Sequence, residues 1–87
     1  MAATMQVDVV SAEEQLYSGE ASEVYARSTE GEIGILPGHQ PVLLLLAPDS
    51  PVRVKTTGGG EERFDIAGGF LEFRDNHLIV LAETQPE

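Results

Sequence analysis

Glycine and proline interrupt this chain so often that a long helix cannot form in it. The 87-residue sequence contains nine glycines and five prolines. An amphipathic helix needs apolar residues at helical spacing over about ten positions, and glycine and proline are the poorest residues for a helix interior. One helical candidate remains at residues 11–16, with Ser11 as N-cap and Glu14 three residues later. It ends at Ser18 and Gly19, so the pattern predicts at most a single turn.

Between these interruptions apolar and polar residues alternate, which is typical of half-buried β-strands. The first such segment begins at Met5 and places Val7 and Val9 on the same side. Residues 52–66 and 70–82 each predict a hairpin, because two alternating runs flank a short turn-forming segment in both. The resulting set of about eight or nine short strands predicts one all-β domain, a sandwich or barrel.

Three segments depart from plain alternation. A run of apolar residues, Val42–Leu46, follows a proline and predicts a strand buried on both faces. Residues 18–20 predict a turn, and Gly68 with Gly69 predicts a bulge or a close backbone approach. The residues assigned chiefly to the core are Val42–Leu46, Phe64, Ile66, Phe70, Phe73, Ile79 and Leu81.

The charge of the chain excludes several classes of partner. Five Lys and Arg residues stand against fifteen Asp and Glu residues, which gives a net charge of −10. We therefore expect repulsion from nucleic acid and from anionic membrane surfaces. The longest apolar run, residues 42–47, is far shorter than the ~20 residues that span a bilayer, so we expect no direct bilayer insertion. Without cysteine the chain has no disulfide and no thiolate metal site.

Few residue patterns point to catalysis or to a cofactor. His39 and His77 are isolated and lack the paired spacing of metal ligands, and no Gly-x-Ser-x-Gly motif is present. The glycine clusters lack the lysine and the helix of a phosphate-binding loop. A hydrolase built on paired carboxylates would lack tryptophan to stack a sugar. We expect no enzyme activity, metal or cofactor; the alternative left open is a small acidic β-sandwich that binds a carbohydrate or another small ligand.

The segment Thr29–Pro41 is the most distinctive part of the sequence. It contains three glycines and two prolines in thirteen residues, together with acids, a histidine and an amide. One interpretation is a long strand connection pinned to the core by Ile33, Ile35 and Leu36. The other is a shaped loop presented to a protein partner.

Four segments of the chain resemble one protein family. Residues 31–41, Gly-Glu-Ile-Gly-Ile-Leu-Pro-Gly-His-Gln-Pro, resemble the signature loop of the epsilon subunit of bacterial F-type ATP synthase. Residues 8–19 resemble its opening strand and turn, residues 68–73 its Gly-Gly strand, and residues 78–84 the strand that closes its β domain. The segments occur in the family's order and span nearly all of residues 5–84.

The resemblance implies a fold, a role and a place. The implied fold is a flattened β-sandwich or barrel of about ten strands in two five-stranded sheets. The implied role is a non-catalytic central-stalk subunit that packs against the gamma subunit, sits on the c-subunit ring and couples ion-driven rotation to ATP synthesis. The implied place is the cytoplasmic face of the bacterial membrane, where the subunit is held through proteins.

The resemblance and the charge together assign four residues to the c-ring side. They are Glu30, Glu32, His39 and Gln40, which belong to the Thr29–Pro41 segment. Acidic side chains suit a ring whose polar loops are basic, as the resemblance implies. No residue is assigned to the gamma subunit, because strand alternation alone does not reveal which face gamma would cover.

The domain prediction is one epsilon-type unit over residues 1–87, with disordered ends at residues 1–4 and 85–87. In the family a C-terminal pair of helices follows the β domain and inhibits ATP hydrolysis. Those helices would begin where this chain stops, at Glu87. We therefore expect the chain to lack that inhibitory function.

Overall fold

The chain folds into eight β-strands in the computed structural model, which describes residues 3–83. The structure confirms the all-β prediction. Residues 3–83 contain no helix at all, and hence none with the length and apolar character to cross a membrane. In chain order the strands are β1 (Met5–Ser11), β2 (Gln15–Ser28), β3 (Gly31–Ile35), β4 (Val42–Leu46), β5 (Ser50–Thr56), β6 (Glu61–Ile66), β7 (Gly68–Arg74) and β8 (His77–Glu83).

The strands form one hydrogen-bonded network that folds over into two layers. The first layer has the order β2–β1–β8–β7–β4 and uses the N-terminal half of β2. The second layer has the order β3–β2–β5–β6 and uses the C-terminal half of the same strand. A single pair, Ser28 with Leu46, also joins β2 to β4. Only the β1–β8 pair is parallel among the described strands.

One hydrophobic core lies between the layers. It is built from the inward residues of each alternating strand, as the pattern predicted for β1, where Met5, Val7 and Val9 are all buried. Phe73 on β7 is the largest fully buried side chain. The remaining buried apolar residues are Ala21, Val24, Ala26, Ile35, Leu46, Val52, Val54, Ile66, Leu71, Leu78, Val80 and Ala82.

Eight strands are described where the resemblance implies ten, and β2 explains part of the difference. This strand is 14 residues long and belongs to both layers. The turn predicted at residues 18–20 is wrong, because Ser18 and Glu20 pair with Asp8 and Gln6 in a continuous ladder. Pairing with β1 outweighs the local turn preference of a Ser-Gly sequence.

The interpretation of residues 29–41 as a single strand connection is also corrected. Its middle part forms β3, which pairs with β2 so that Gly34 lies opposite Tyr25. A Cβ atom on Gly34 would lie 2.9 Å from the Tyr25 ring, so the glycine leaves the space that the ring occupies. Among the described strands β3 bonds to β2 alone, and its other edge is open.

Both predicted hairpins are confirmed. In β5–β6, Val52 lies opposite Phe64, and in β7–β8, Arg74 lies opposite His77. The predicted close backbone approach at the glycine pair is found as well. A Cβ atom on Gly69 would lie 2.0 Å from the carbonyl oxygen of Leu81.

The predicted disordered ends fall largely outside the described residues. Residues 1–2 and 85–87 are not among them. Thr4, within the predicted N-terminal end, is described, and its Oγ1 donates a 2.6 Å hydrogen bond to Glu20 Oε1.

Candidate functional site

The outer face of the first layer carries a row of apolar side chains, most of them exposed. Val10, Leu81, Phe70 and Leu45 lie side by side across β1, β8, β7 and β4. Leu81, Phe70 and Leu45 are 54%, 49% and 51% exposed, and Leu43 on β4 is 68% exposed. We call these five residues the apolar strip.

The exposed residues of β4 correct the prediction that this strand is buried on both faces. Leu46 is buried and Leu44 is half-buried, whereas Leu43 and Leu45 point outward. A chain of this size buries only about 60% of the surface that its unfolded form exposes, so its core covers one face of each layer. The outward residues of an unbroken apolar run therefore stay in contact with water.

The core assignment is wrong for two further residues, Phe70 and Leu81, for the same reason. Both lie at outward positions of their strands. The rest of the assignment divides between buried residues, Ile66 and Phe73, and half-buried residues, Phe64 and Ile79.

The apolar strip is a candidate docking surface for another protein. Single exposed apolar residues are ordinary, whereas a contiguous apolar patch on a small domain marks an interaction site. A groove of about 260 Å³ lies at one end of the strip, between Val10, Phe70 and Leu81. The groove gives a partner side chain a place to insert.

An acidic margin borders the apolar strip. In the neighbouring cross-strand row, Glu72 and Asp8 flank Ile79. Asp8 Oδ2 lies 2.6 Å from Nε2 of His77. The pKa of Asp8 lies below its usual value. The largest cause is a hydrogen bond from Ser18. Partial burial acts in the opposite direction, and the hydrogen bond and charge of His77 lower the pKa further. Asp8 therefore carries a negative charge at neutral pH.

The outer face of the second layer is charged instead of apolar. Lys55 Nζ lies 3.8 Å from Glu23 Oε2, and Arg63 Nε lies 3.3 Å from Asp65 Oδ1. The Tyr25 hydroxyl donates a hydrogen bond to Glu23, and this bond is the main reason that the pKa of Tyr25 is raised. Charged side chains of this kind are the usual solvated surface of a small domain. The two outer faces therefore differ sharply, and the apolar one is the one suited to a partner.

A cavity of about 370 Å³ lies on the charged face. Its lining includes three arginines, Arg27, Arg53 and Arg63, and also the carboxylates of Glu32 and Asp49. Because both signs of charge line it, the cavity does not carry a concentrated positive field.

The four residues predicted for the c-ring side lie at two ends of β3. Glu30 follows β2 in the turn before β3, and Glu32 is on β3 opposite Arg27. His39 and Gln40 lie in the connection from β3 to β4. Residues 33–38, the last three residues of β3 and the first three of the connection, separate Glu32 from His39. The structure places Glu30 and Glu32 at the start of β3, and His39 and Gln40 beyond its end.

The β3–β4 connection has a defined shape. The His39 amide donates a 3.0 Å hydrogen bond to the Leu36 carbonyl, and Gly38 between them has a φ of 83°. With Pro37 at the second position this is the geometry of a type II turn. The His39 ring stands edge-on to Phe73, with 6.0 Å between ring centroids.

The described residues offer no metal site. Between residues 3 and 83, no three His, Asp or Glu side chains converge closely enough to hold an ion.

Sequence comparison relates this chain to ATP synthase subunits. The family model described as ATP synthase, Delta/Epsilon chain, beta-sandwich domain matches residues 4–85. The chain is 52% identical over 82 residues to the ATP synthase epsilon chain of Psychrobacter arcticus, covering 94% of this chain and 59% of that protein. It is 47% identical over 84 residues to the ATP synthase epsilon chain of Streptomyces coelicolor, covering 97% and 67%. The chain thus spans about three fifths to two thirds of the length of these curated relatives.

Comparison with solved structures also finds chains of ATP synthases. A chain in the cryo-EM structure of the Euglena gracilis mitochondrial ATP synthase, with OSCP, F1 and c-ring in rotational state 1, matches with a TM-score of 0.85 at 26% identity. The match covers 92% of this chain and 51% of that chain. A chain in the central stalk and c-ring of the Tetrahymena thermophila mitochondrial ATP synthase shares the fold, with a TM-score of 0.76 at 20% identity over 91% of this chain and 63% of that chain.

Proposed function

This chain belongs to the family of ATP synthase delta/epsilon-chain β-sandwich domains, and from that membership we propose that it is a non-catalytic subunit of the central stalk. In this role it binds the gamma subunit and the c-ring and carries rotation between them. It is held at the cytoplasmic face of the bacterial membrane through these proteins. The observation that carries the proposal is the apolar strip, because it provides a surface for a permanent protein partner on a fold of this family.

We place the gamma subunit on the apolar strip. Interfaces that stay assembled have an apolar centre and a polar rim, and the apolar strip together with its acidic margin provides both. Phe70 and Leu81 supply the centre, and Asp8 and Glu72 supply the rim. The partner surface on gamma is therefore expected to combine apolar side chains with Lys or Arg at its margin.

We place the c-ring along the open edge of β3. Glu32 lies on β3, Glu30 lies in the turn before it, and His39 and Gln40 lie in the connection that follows it. Glu30, Glu32 and Gln40 are exposed and His39 is half-buried. Such a contact is mainly polar, so it is sensitive to salt.

The alternative of a carbohydrate-binding sandwich receives less support. The 370 Å³ cavity is the natural candidate for a ligand, but Tyr25 is the only aromatic side chain in its lining. The family membership favours an interaction subunit, whose test is binding to gamma and to the c-ring.

Replacing Phe70 with aspartate is expected to weaken binding to gamma about tenfold or more. The change removes a large apolar side chain from the centre of the apolar strip and would bury a charge in its place. Affinity for purified gamma, measured by biolayer interferometry, tests the expectation. Leu36→Asp is the matched control, because Leu36 is 52% exposed and lies outside the strip. An equal loss of gamma binding in both variants would argue against this placement.

Replacing Glu32 with lysine is expected to weaken binding to a purified c-ring about fivefold or more at low salt, with a smaller effect at high salt. The control is Glu61→Lys. Glu32 lies opposite Arg27 and Glu61 lies opposite Lys55, so both variants reverse one acid and create one like-charged cross-strand pair. Unchanged c-ring binding by the Glu32 variant would remove this residue from the contact.

A further inference from the structure

Asn76 joins three separate parts of the chain. It is the second residue of the β7–β8 turn. Its side-chain Oδ1 accepts a 3.0 Å hydrogen bond from the Gly38 amide, and its Nδ2 donates a 2.8 Å bond to the Thr4 carbonyl. Its own carbonyl accepts a 3.1 Å bond from the Gln6 amide. The side-chain amide therefore links the β3–β4 connection to the segment that leads into β1, from a turn far away in sequence.

The turn conformation alone does not account for this residue. Asp75 and Asn76 have φ values of 53° and 59°, which is the pattern of a two-residue type I′ hairpin. Asparagine suits such a position, but glycine suits the second position at least as well. A glycine there would keep the hairpin and lose both side-chain hydrogen bonds.

The bond to Gly38 restrains the connection at its glycine. Gly38 is the residue of the type II turn with positive φ, and glycine has the widest conformational freedom of any residue. A second restraint from outside the connection is the edge contact of His39 with Phe73. Together the two contacts limit the conformations open to the backbone at Gly38 and His39.

We propose that Asn76 is a positioning residue for docking of the β3–β4 connection. It acts through Gly38, keeps His39 and Gln40 in the binding arrangement, and so lowers the conformational entropy lost when the c-ring binds. This inference rests on the proposed function, in which that connection faces the c-ring.

The test compares Asn76→Gly with Asp75→Gly in the full chain. Both variants place glycine in the same turn at a position of positive φ, but in the described part of the chain only Asn76 bonds to the connection. We expect Asn76→Gly to raise hydrogen exchange of the Gly38 amide about tenfold and to weaken c-ring binding about three- to tenfold, as loss of one ordering hydrogen bond implies. Gamma binding is expected to match that of the Asp75 variant.

Two outcomes would overturn the inference. The first is equal exchange at Gly38 in the two variants. The second is faster exchange at Gly38 without any loss of c-ring affinity. The Glu32→Lys variant separates the positioning role of Asn76 from the assignment of the β3 edge to the c-ring. If it loses c-ring binding while Asn76→Gly does not, the positioning role alone is wrong; if neither loses binding, the assignment of the β3 edge to the c-ring is wrong as well.

Discussion

Replacing Gly69 with alanine is expected to destabilise the domain by about 4 kcal/mol or more, enough to unfold much of a small protein. Two effects add at this position. The φ of 135° is a conformation that side chains other than glycine rarely adopt. In addition, the new Cβ atom would lie 2.0 Å from the Leu81 carbonyl oxygen. That oxygen belongs to the backbone of the paired strand β8, so it has no rotamer by which to move away.

The adjacent glycine provides a control that separates these two effects. Gly68 has nearly the same φ, 138°, but a Cβ atom there would come no closer than 3.9 Å to a neighbouring atom. Gly68→Ala is therefore expected to cost about 1–3 kcal/mol from backbone strain alone. Urea unfolding followed by circular dichroism gives both values. Equal losses in the two variants would show that the contact with Leu81 contributes nothing.

Replacing Phe73 with alanine is expected to cost about 3–5 kcal/mol of folding free energy. Phe73 is 1% exposed and fills the core, so its removal leaves a cavity. Phe70→Ala is the matched control, because it makes the same chemical change three residues earlier on β7, on the outward face. Its expected cost is about 1 kcal/mol or less, since Phe70 is 49% exposed.

These two variants also separate stability from binding. Phe70→Ala is expected to fold and to lose gamma affinity, whereas the defect of Phe73→Ala is expected to appear in the unfolding curve. Comparable destabilisation by the two changes would mean that the inward and outward faces of β7 have been assigned incorrectly.

Local sequence patterns were sufficient for much of the fold. The alternation around Val7 and Val9, the two hairpins and the close approach at Gly69 all follow from residue types a few positions apart. The position of β3 did not follow, because Gly31 and Gly34 hide its alternation of Ile33 and Ile35. The reason for a glycine at position 34 is the Tyr25 ring beside it. The two residues become neighbours only through the pairing of β2 with β3.

The candidate docking surface was missed for a related reason. An unbroken run such as Val42–Leu46 has the same appearance whether a second layer or a partner protein covers its outer face. The sequence did indicate that a domain of this size has a thin core, which cannot bury every apolar residue. One thin core covers only the inner face of each layer, so alternate residues of an unbroken apolar run are expected to point outward. The identity of the outward apolar residues depends on the register between strands that are distant in sequence. The hydrogen-bond partners of Asn76 depend on it as well.

The 14-residue strand β2 gives this small domain a mechanical property. Its N-terminal half is bonded to β1 and its C-terminal half to β3 and β5, so sliding of one layer over the other would have to shear a continuous main chain. Close-packed protein interiors also compress little and transmit strain. A torque applied along the open edge of β3 would therefore reach the layer that carries the apolar strip with little elastic loss. The domain is therefore expected to deform little when a load on one layer is passed to the other.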